Sequence, residues 1–396
     1  PHEWARIHAK RTPDAPAVVF DGSMLSYAEL DRRAEAHGRQ LRNAGIGEGD
    51  LVAVDAVSTI ETVVALVGTH RSRAVAVPQG PNTVDTGVSI DPAAYAVVPT
   101  SGSSGSPRGV ILTGRNVAAA VEASQRRLGN GPTDRWLLTL PLFHVGGLSI
   151  LWRSLTAGGS IELHRRFDTD AAIAALRGGR VTMASLVPTM LYRILERDPG
   201  PYEGLAAVLL GGAPARDELV ERALAAGLPV LQTYGMTETG SQVATVERGS
   251  ALQSLGTVGR PLSGFDVSIE DGEILVDGPA VFPGYVGESP RVGAHRTGDL
   301  GFFDANGRLV VTGRKHEVII TGGGNVFPDT VESAIESIAA VGRAAVFGVA
   351  DDEWGQIVVA VVEASAEDLP RIVSDVQPLV ATHEAPRRWV AVDVLP

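Results

Sequence analysis

Short apolar runs alternate with alanine-rich stretches from Ser26 onward, and few architectures absorb that rhythm. Residues 26–45 read as a helix: Ser26 and Glu29 stand at capping-box spacing, Leu30, Ala34 and Leu41 recur near the helical period, and Gly45 suits the stop. A strand is expected at 51–56, and apolar runs at 95–98, 136–140, 207–210 and 229–232 continue the alternation. The pattern predicts an α/β fold, with mixed sheets in a large multi-layer N-terminal domain. After about Gly256 the strands become short and glycine-broken, at 266–269, 273–276 and 308–312, which predicts a β-rich subdomain. Beyond Gly313 come a strand at 318–321, a helix at 329–340 and strands at 344–349, 357–363 and 389–394, a small α+β unit. The domains are therefore expected at 1–315 and 316–396.

With 396 residues, 44% of them hydrophobic, the chain can bury one large core and a smaller one. It has no cysteine, so a disulfide framework, a thiolate metal site and a cysteine nucleophile are all excluded. Any thiol chemistry must use a thiol brought by a substrate. The net charge of -12 is spread along the chain and argues against a nucleic-acid partner. No stretch has the length of a membrane-spanning helix, and residues 1–4 lack signal-peptide character, so a cytoplasmic protein is expected. The first residue is Pro1 and the sequence ends abruptly at Leu395-Pro396; the C-terminal domain is expected to be truncated.

The most informative segment follows the apolar run at 95–98: Thr100-Ser101-Gly102-Ser103-Ser104-Gly105-Ser106-Pro107-Arg108-Gly109. Glycines let backbone N–H groups approach phosphate oxygens, hydroxyls add donors, and Arg108 supplies positive charge. A Walker A loop is excluded because the Gly-Lys-Ser/Thr ending is missing. A flexible linker is the plainer alternative, but linkers seldom start on a buried strand and close with Pro-Arg-Gly.

This loop resembles the phosphate-binding signature of the adenylate-forming superfamily: acyl-CoA synthetases, luciferases and peptide-synthetase adenylation domains. Further matches follow in the family's order: Gly211-Gly212-Ala213-Pro214, Tyr234-Gly235-Met236-Thr237-Glu238, Arg296-Thr297-Gly298-Asp299-Leu300-Gly301 and Gly313-Arg314. The resemblance implies that ATP activates a carboxylic acid as acyl-AMP and that the acyl group then passes to the thiol of coenzyme A. It gives Tyr234 and Gly235 a place beside adenine, with Gly211, Gly212 and Ala213 as a backbone wall. Thr237 would donate to the α-phosphate and Glu238 would hold magnesium. Asp299 would accept from the ribose hydroxyls, helped by Arg314. Standing alone, Glu238 would read as a solvated turn residue and Asp299 as turn composition.

In Pro141-Leu142-Phe143-His144-Val145-Gly146-Gly147, the resemblance places His144 between the carboxylate and the thiol channel, where it gates and orients substrate. A satisfied core histidine is the plainer alternative. The small domain would be a mobile lid hinged at His316, where most relatives carry Asp or Lys. The stretches 140–149, 233–245 and 321–328 look like the o-succinylbenzoate-CoA ligases of menaquinone biosynthesis, in which Gly147, Ser241, Gln242 and Thr245 would face the acid. Other readings stay open: a ligase for another aryl or bulky acyl acid, an enzyme loading a carrier protein, or a non-catalytic nucleotide-binding relative. Relatives carry a catalytic lysine shortly after a Leu-Pro pair like Leu395-Pro396, and a protein ending there is expected to adenylate slowly. A homodimer is expected of an enzyme of this kind.

Overall fold

The structure, a computed structural model, describes residues 1–80, 90, 93–100, 108–315, 317–321, 324–351 and 354–395. They divide into two compact units, Pro1–Val267 with Val276–His295, and Ser268–Leu275 with Arg296–Pro396. No helix among them is long and apolar enough to cross a membrane.

The first unit is α/β, as the alternation predicts. Its nine-stranded sheet runs, among the described residues, in the order Arg260–Pro261, Ser241–Thr245, Val230–Met236, Ala207–Leu210, Met183–Leu186, Arg135–Leu138, Ser160–Leu163, Pro16–Phe20 and Ser23–Ser26. The interior pairs are parallel and the edge pairs antiparallel. Interior strands such as Ala207–Leu210 are buried at every position, because helices cover both faces of a parallel sheet. Those helices include Thr169–Arg177, Pro188–Arg197 and Asp217–Ala225, whose apolar faces share one core with the strands.

A second sheet in this unit runs Gly284–Tyr285, Arg108–Thr113, Ala94–Thr100, Val75–Gln79 and Leu51–Asp55. The helix expected from Ser26 is present as Tyr27–Asn43. Ser26 caps it by accepting from the Glu29 N–H at 3.3 Å, but the Glu29 carboxylate turns to Arg32, so the reciprocal half of the capping box does not form.

The second unit holds most of a four-stranded sheet, in the order Asp266–Glu270, Glu273–Asp277, His295–Phe303 and Leu309–Arg314, and a C-terminal sheet. In the latter, Gly355–Glu363 lies between Ala344–Asp351, antiparallel, and Arg388–Val392, parallel. The helices Pro328–Glu336 and Leu369–Val376 close one face over Ile319, Val346, Val358, Ala360 and Val362. Residues 268–275 and 296–315 fall with the C-terminal residues in this division, and Leu309–Arg314 packs against Pro328–Glu336.

Candidate functional site

Parallel strands deliver their following loops to one edge of a sheet, the usual place for a ligand in open α/β folds. In the nine-stranded sheet, Arg135–Leu138, Met183–Leu186, Ala207–Leu210 and Val230–Met236 run parallel. The loops at their carboxyl ends carry His144, Val187, Gly211–Gly212–Ala213 and Thr237–Glu238. Gly212 and Ala213 are exposed there, which suits a backbone wall.

Tyr234, Gly235 and Met236 belong to the strand Val230–Met236, and Thr237–Thr239 turns as one short 3-10 helix into the antiparallel strand Ser241–Thr245. The pairing shifts register between Tyr234 and Gly235. At Gly235 the backbones come so close that a Cβ would stand 1.8 Å from the Ser241 carbonyl oxygen, and only glycine fits. Ser241 itself has φ of 133°, a strained value for a residue with a side chain.

Arg153, a residue the sequence reading passed over, explains why Ser241 is held there. It lies in the helix Val145–Ala157, is 2% exposed, and donates to Ser241 Oγ at 3.0 Å. Its guanidinium lies 5.3 Å from the ring centroid of the buried Trp136. No carboxylate pairs with it among the described residues, and burial lowers its pKa to about 9. A buried cation without a counter-ion is costly. Gln242 and Thr245 face elsewhere: Gln242 Oε1 accepts from Ser124 at 2.6 Å and its Nε2 donates to Thr245 Oγ1 at 2.7 Å, and both residues are buried. Their polar groups are spent inside the protein, against the helix Gly114–Leu128.

His144 is the N-cap residue of Val145–Ala157; it is exposed on one side, and partial burial of its ring lowers its pKa. Gly147, in the first turn, is buried with its Cα against the Pro141 carbonyl; a Cβ would stand 2.3 Å from that oxygen. Its smallness serves packing of the His144 loop.

Thr100 and Arg108 are register partners at the mouth of the phosphate-type loop, and Thr100 Oγ1 donates to the Arg108 carbonyl at 3.3 Å. Ser101, Gly102, Ser103, Ser104 and Gly105 lie outside the described residues, as does His316. Glu238 Oε1 accepts from the Tyr285 phenol at 2.8 Å, while its Oε2 has no protein donor among the described residues. With the Thr237 hydroxyl this presents oxygen donors of the kind magnesium takes, so the residues fit that ion. The described residues hold no cluster of three or more His, Cys, Asp or Glu, and the remaining ligands would be phosphate and water.

In the second unit Asp299 and Arg314 are register partners on adjacent antiparallel strands. Arg314 Nε lies 2.8 Å from Asp299 Oδ1, and Asp299 is buried. Nearby Glu273 takes hydrogen bonds from Lys315 at 2.9 Å and Arg296 at 2.7 Å. Burial would raise its pKa, but these cations outweigh burial and lower it.

The model for AMP-binding enzymes matches residues 5–90 and 86–286. The chain belongs to this family. The model for the family's C-terminal domain matches residues 330–396. A 2-succinylbenzoate–CoA ligase of Bacillus licheniformis is 32% identical, over 99% of this chain and 96% of that one. The o-succinylbenzoate CoA synthetase of Bacillus subtilis, in complex with the acyl-adenylate intermediate OSB-AMP, matches with a TM-score of 0.90 at 30% identity, over 100% of this chain and 95% of that one. The same synthetase with ATP and magnesium ion matches with a TM-score of 0.88 at 30% identity, covering 100% and 96%. The fold expected of an adenylate-forming enzyme is thus the fold this AMP-binding enzyme has.

Proposed function

We propose that this AMP-binding enzyme is an o-succinylbenzoate–CoA ligase, converting the acid and ATP to acyl-AMP and pyrophosphate, then acyl-AMP and coenzyme A to the thioester and AMP. The observation that carries the choice of acid is Arg153, buried without a carboxylate and bonded to the strained Ser241. A dicarboxylate supplies what this pair lacks: one carboxylate stays with Arg153 and Ser241, and the other reacts. Val187, half-buried at the carboxyl end of Met183–Leu186, offers apolar surface to an aromatic ring.

In the first step the reacting carboxylate attacks the α-phosphorus and pyrophosphate leaves in line. Ser101, Gly102, Ser103, Ser104 and Gly105, with Thr100 and Arg108, receive the phosphates, and the Thr237 hydroxyl donates to the α-phosphate. Magnesium, held by Glu238, supplies neutralisation of phosphate charge. Tyr234 and Gly235 lie against the adenine beside Gly211, Gly212 and Ala213, and Asp299 with Arg314 takes the ribose hydroxyls. In the second step the thiol displaces AMP past His144, whose lowered pKa keeps the ring neutral near pH 7 and uncharged toward a thiolate. A lid of residues 316–396, hinged at His316, would exchange between the two steps. A cytoplasmic place stays an expectation from the sequence, and the homodimer one from resemblance alone.

The test is thioester formation with ATP and coenzyme A, followed by mass spectrometry, on o-succinylbenzoate, benzoate and a medium-chain fatty acid. A site built around a buried donor rejects an acid lacking the matching group, so o-succinylbenzoate is expected to exceed both by at least about 100-fold. Equal rates on all three would refute the assignment of the acid, and acyl-AMP without thioester would favour a carrier-protein acceptor.

A further inference from the structure

Glu238 is held from a direction its own motif does not announce. The phenol that donates to its Oε1 belongs to Tyr285, in the two-residue strand Gly284–Tyr285, which pairs antiparallel with Arg108–Thr113. Backbone bonds flank the contact on both sides: Phe282 N–H donates to the Glu238 carbonyl at 2.8 Å, and Val286 N–H to the Gly109 carbonyl at 2.9 Å. The opposite side of the same ring system meets Arg108, whose guanidinium carbon lies 3.4 Å from the Tyr285 ring centroid. Both oxygens of Glu288 hold that guanidinium, at 3.1 and 3.2 Å. Residues 282–288 therefore fasten the Glu238 turn to Arg108, near the C-terminal end of the phosphate loop.

The hydroxyl carries a specific part of this arrangement. A phenylalanine ring would fill the same space and seat Arg108 as well, since the stacking uses the ring face. What the oxygen adds is one charge-assisted hydrogen bond to a carboxylate. With Oε1 occupied and the carboxylate plane fixed, Oε2 is the oxygen left for a cation.

We infer that Tyr285 is a positioning residue for divalent-cation binding: its phenol sets the orientation of Glu238, while its ring seats Arg108 beside the phosphates. The inference rests on the reading of Glu238 as the magnesium carboxylate. The experiment compares the full chain with Tyr285→Phe and Glu238→Gln. Calorimetry of ATP binding across a magnesium titration, with no acid or coenzyme A, gives the magnesium concentration for half-maximal ATP affinity; the melting temperature is read alongside. Tyr285→Phe is expected to raise that concentration about tenfold, with ATP affinity at saturating magnesium within about twofold of the parent and melting essentially unchanged. Glu238→Gln is expected to raise it further. A shift in Glu238→Gln with none in Tyr285→Phe overturns the positioning role and leaves the reading of Glu238 standing. No shift in either overturns that reading, and the inference with it. Weaker ATP binding at every magnesium concentration together with a lower melting temperature in Tyr285→Phe marks a purely structural residue and also overturns the proposal.

Discussion

Arg153 shows how a residue can be costly to the fold and useful to the site. Its charge is buried, with one hydroxyl and one indole as neighbours. Replacing a buried charge by an apolar group of similar volume is often neutral or stabilising. Arg153→Met is therefore expected to keep or raise the melting temperature. The same change should raise the KM for o-succinylbenzoate by about 10–100-fold and leave that for ATP unchanged, because only the acid meets the guanidinium. Steady-state kinetics with each substrate varied in turn, together with a thermal melt, decide the matter; an unchanged acid KM would remove Arg153 from recognition. Sequence reading missed this residue because a lone arginine in a helix is ordinarily solvated. The available signal was its setting in Leu148 to Leu155, a stretch in which it is the lone charged residue. Gln242, next to Ser241 along the strand, turns to the opposite face by alternation and spends its amide on Ser124 and Thr245, which residue type alone does not reveal.

Elements were legible where composition was continuous. The strand Ala207–Leu210 has the expected bounds, because a buried parallel strand is apolar throughout. Gly284–Tyr285 was invisible: three residues between Pro283 and Gly287 read as loop, and what makes two of them a strand is the partner Arg108–Thr113. The helix expected to reach Ala340 ends at Glu336, since nothing in the local period marks the stop. The pair Val230–Met236 and Ser241–Thr245 depends on a single close approach. Gly235→Ala is expected to force the strands apart at Ser241, costing about 1–3 kcal/mol by overpacking and reducing acid-dependent pyrophosphate exchange more than about 100-fold. Gly131→Ala is the control, for an added Cβ there meets nothing within 4 Å. Calorimetry and the exchange assay on both variants provide the comparison, and parent-like exchange in Gly235→Ala would show that this contact does not set the site.

At the scale of the molecule, sequence order says which strand comes next, not which helix it packs against, and Leu309–Arg314 packs against Pro328–Glu336. Stability carries a further whole-molecule signature. His70 is 6% exposed, stacks on Tyr95 with ring centroids 3.6 Å apart, and has no partner for Nδ1. Burial, then the neighbouring His2 and Arg71, hold its pKa well below the ordinary 6.5. A folded-state pKa below the unfolded value means that protons favour unfolding. The stability is thus fully present above pH 6.5 and is lost as pH falls from there toward the depressed folded value. Between pH 7.5 and 5.5 the loss from this group is expected to be about 1 kcal/mol, and His70→Phe, which keeps the stacking, should remove it. Urea denaturation of both proteins at the two pH values measures the difference; identical slopes with pH would acquit His70.

Arg108 and Glu288 meet across 180 positions of sequence. At about 5–20 residues per second, a ribosome needs roughly 10–35 seconds to travel from one to the other. Throughout that interval the strand Arg108–Thr113 has Ala94–Thr100 beside it and an open edge where Gly284–Tyr285 will later dock. A growing chain therefore carries its whole phosphate loop long before it can anchor Glu238, and nucleotide can have little say in the early course of its folding. The late docking of two residues completes the anchoring of Glu238.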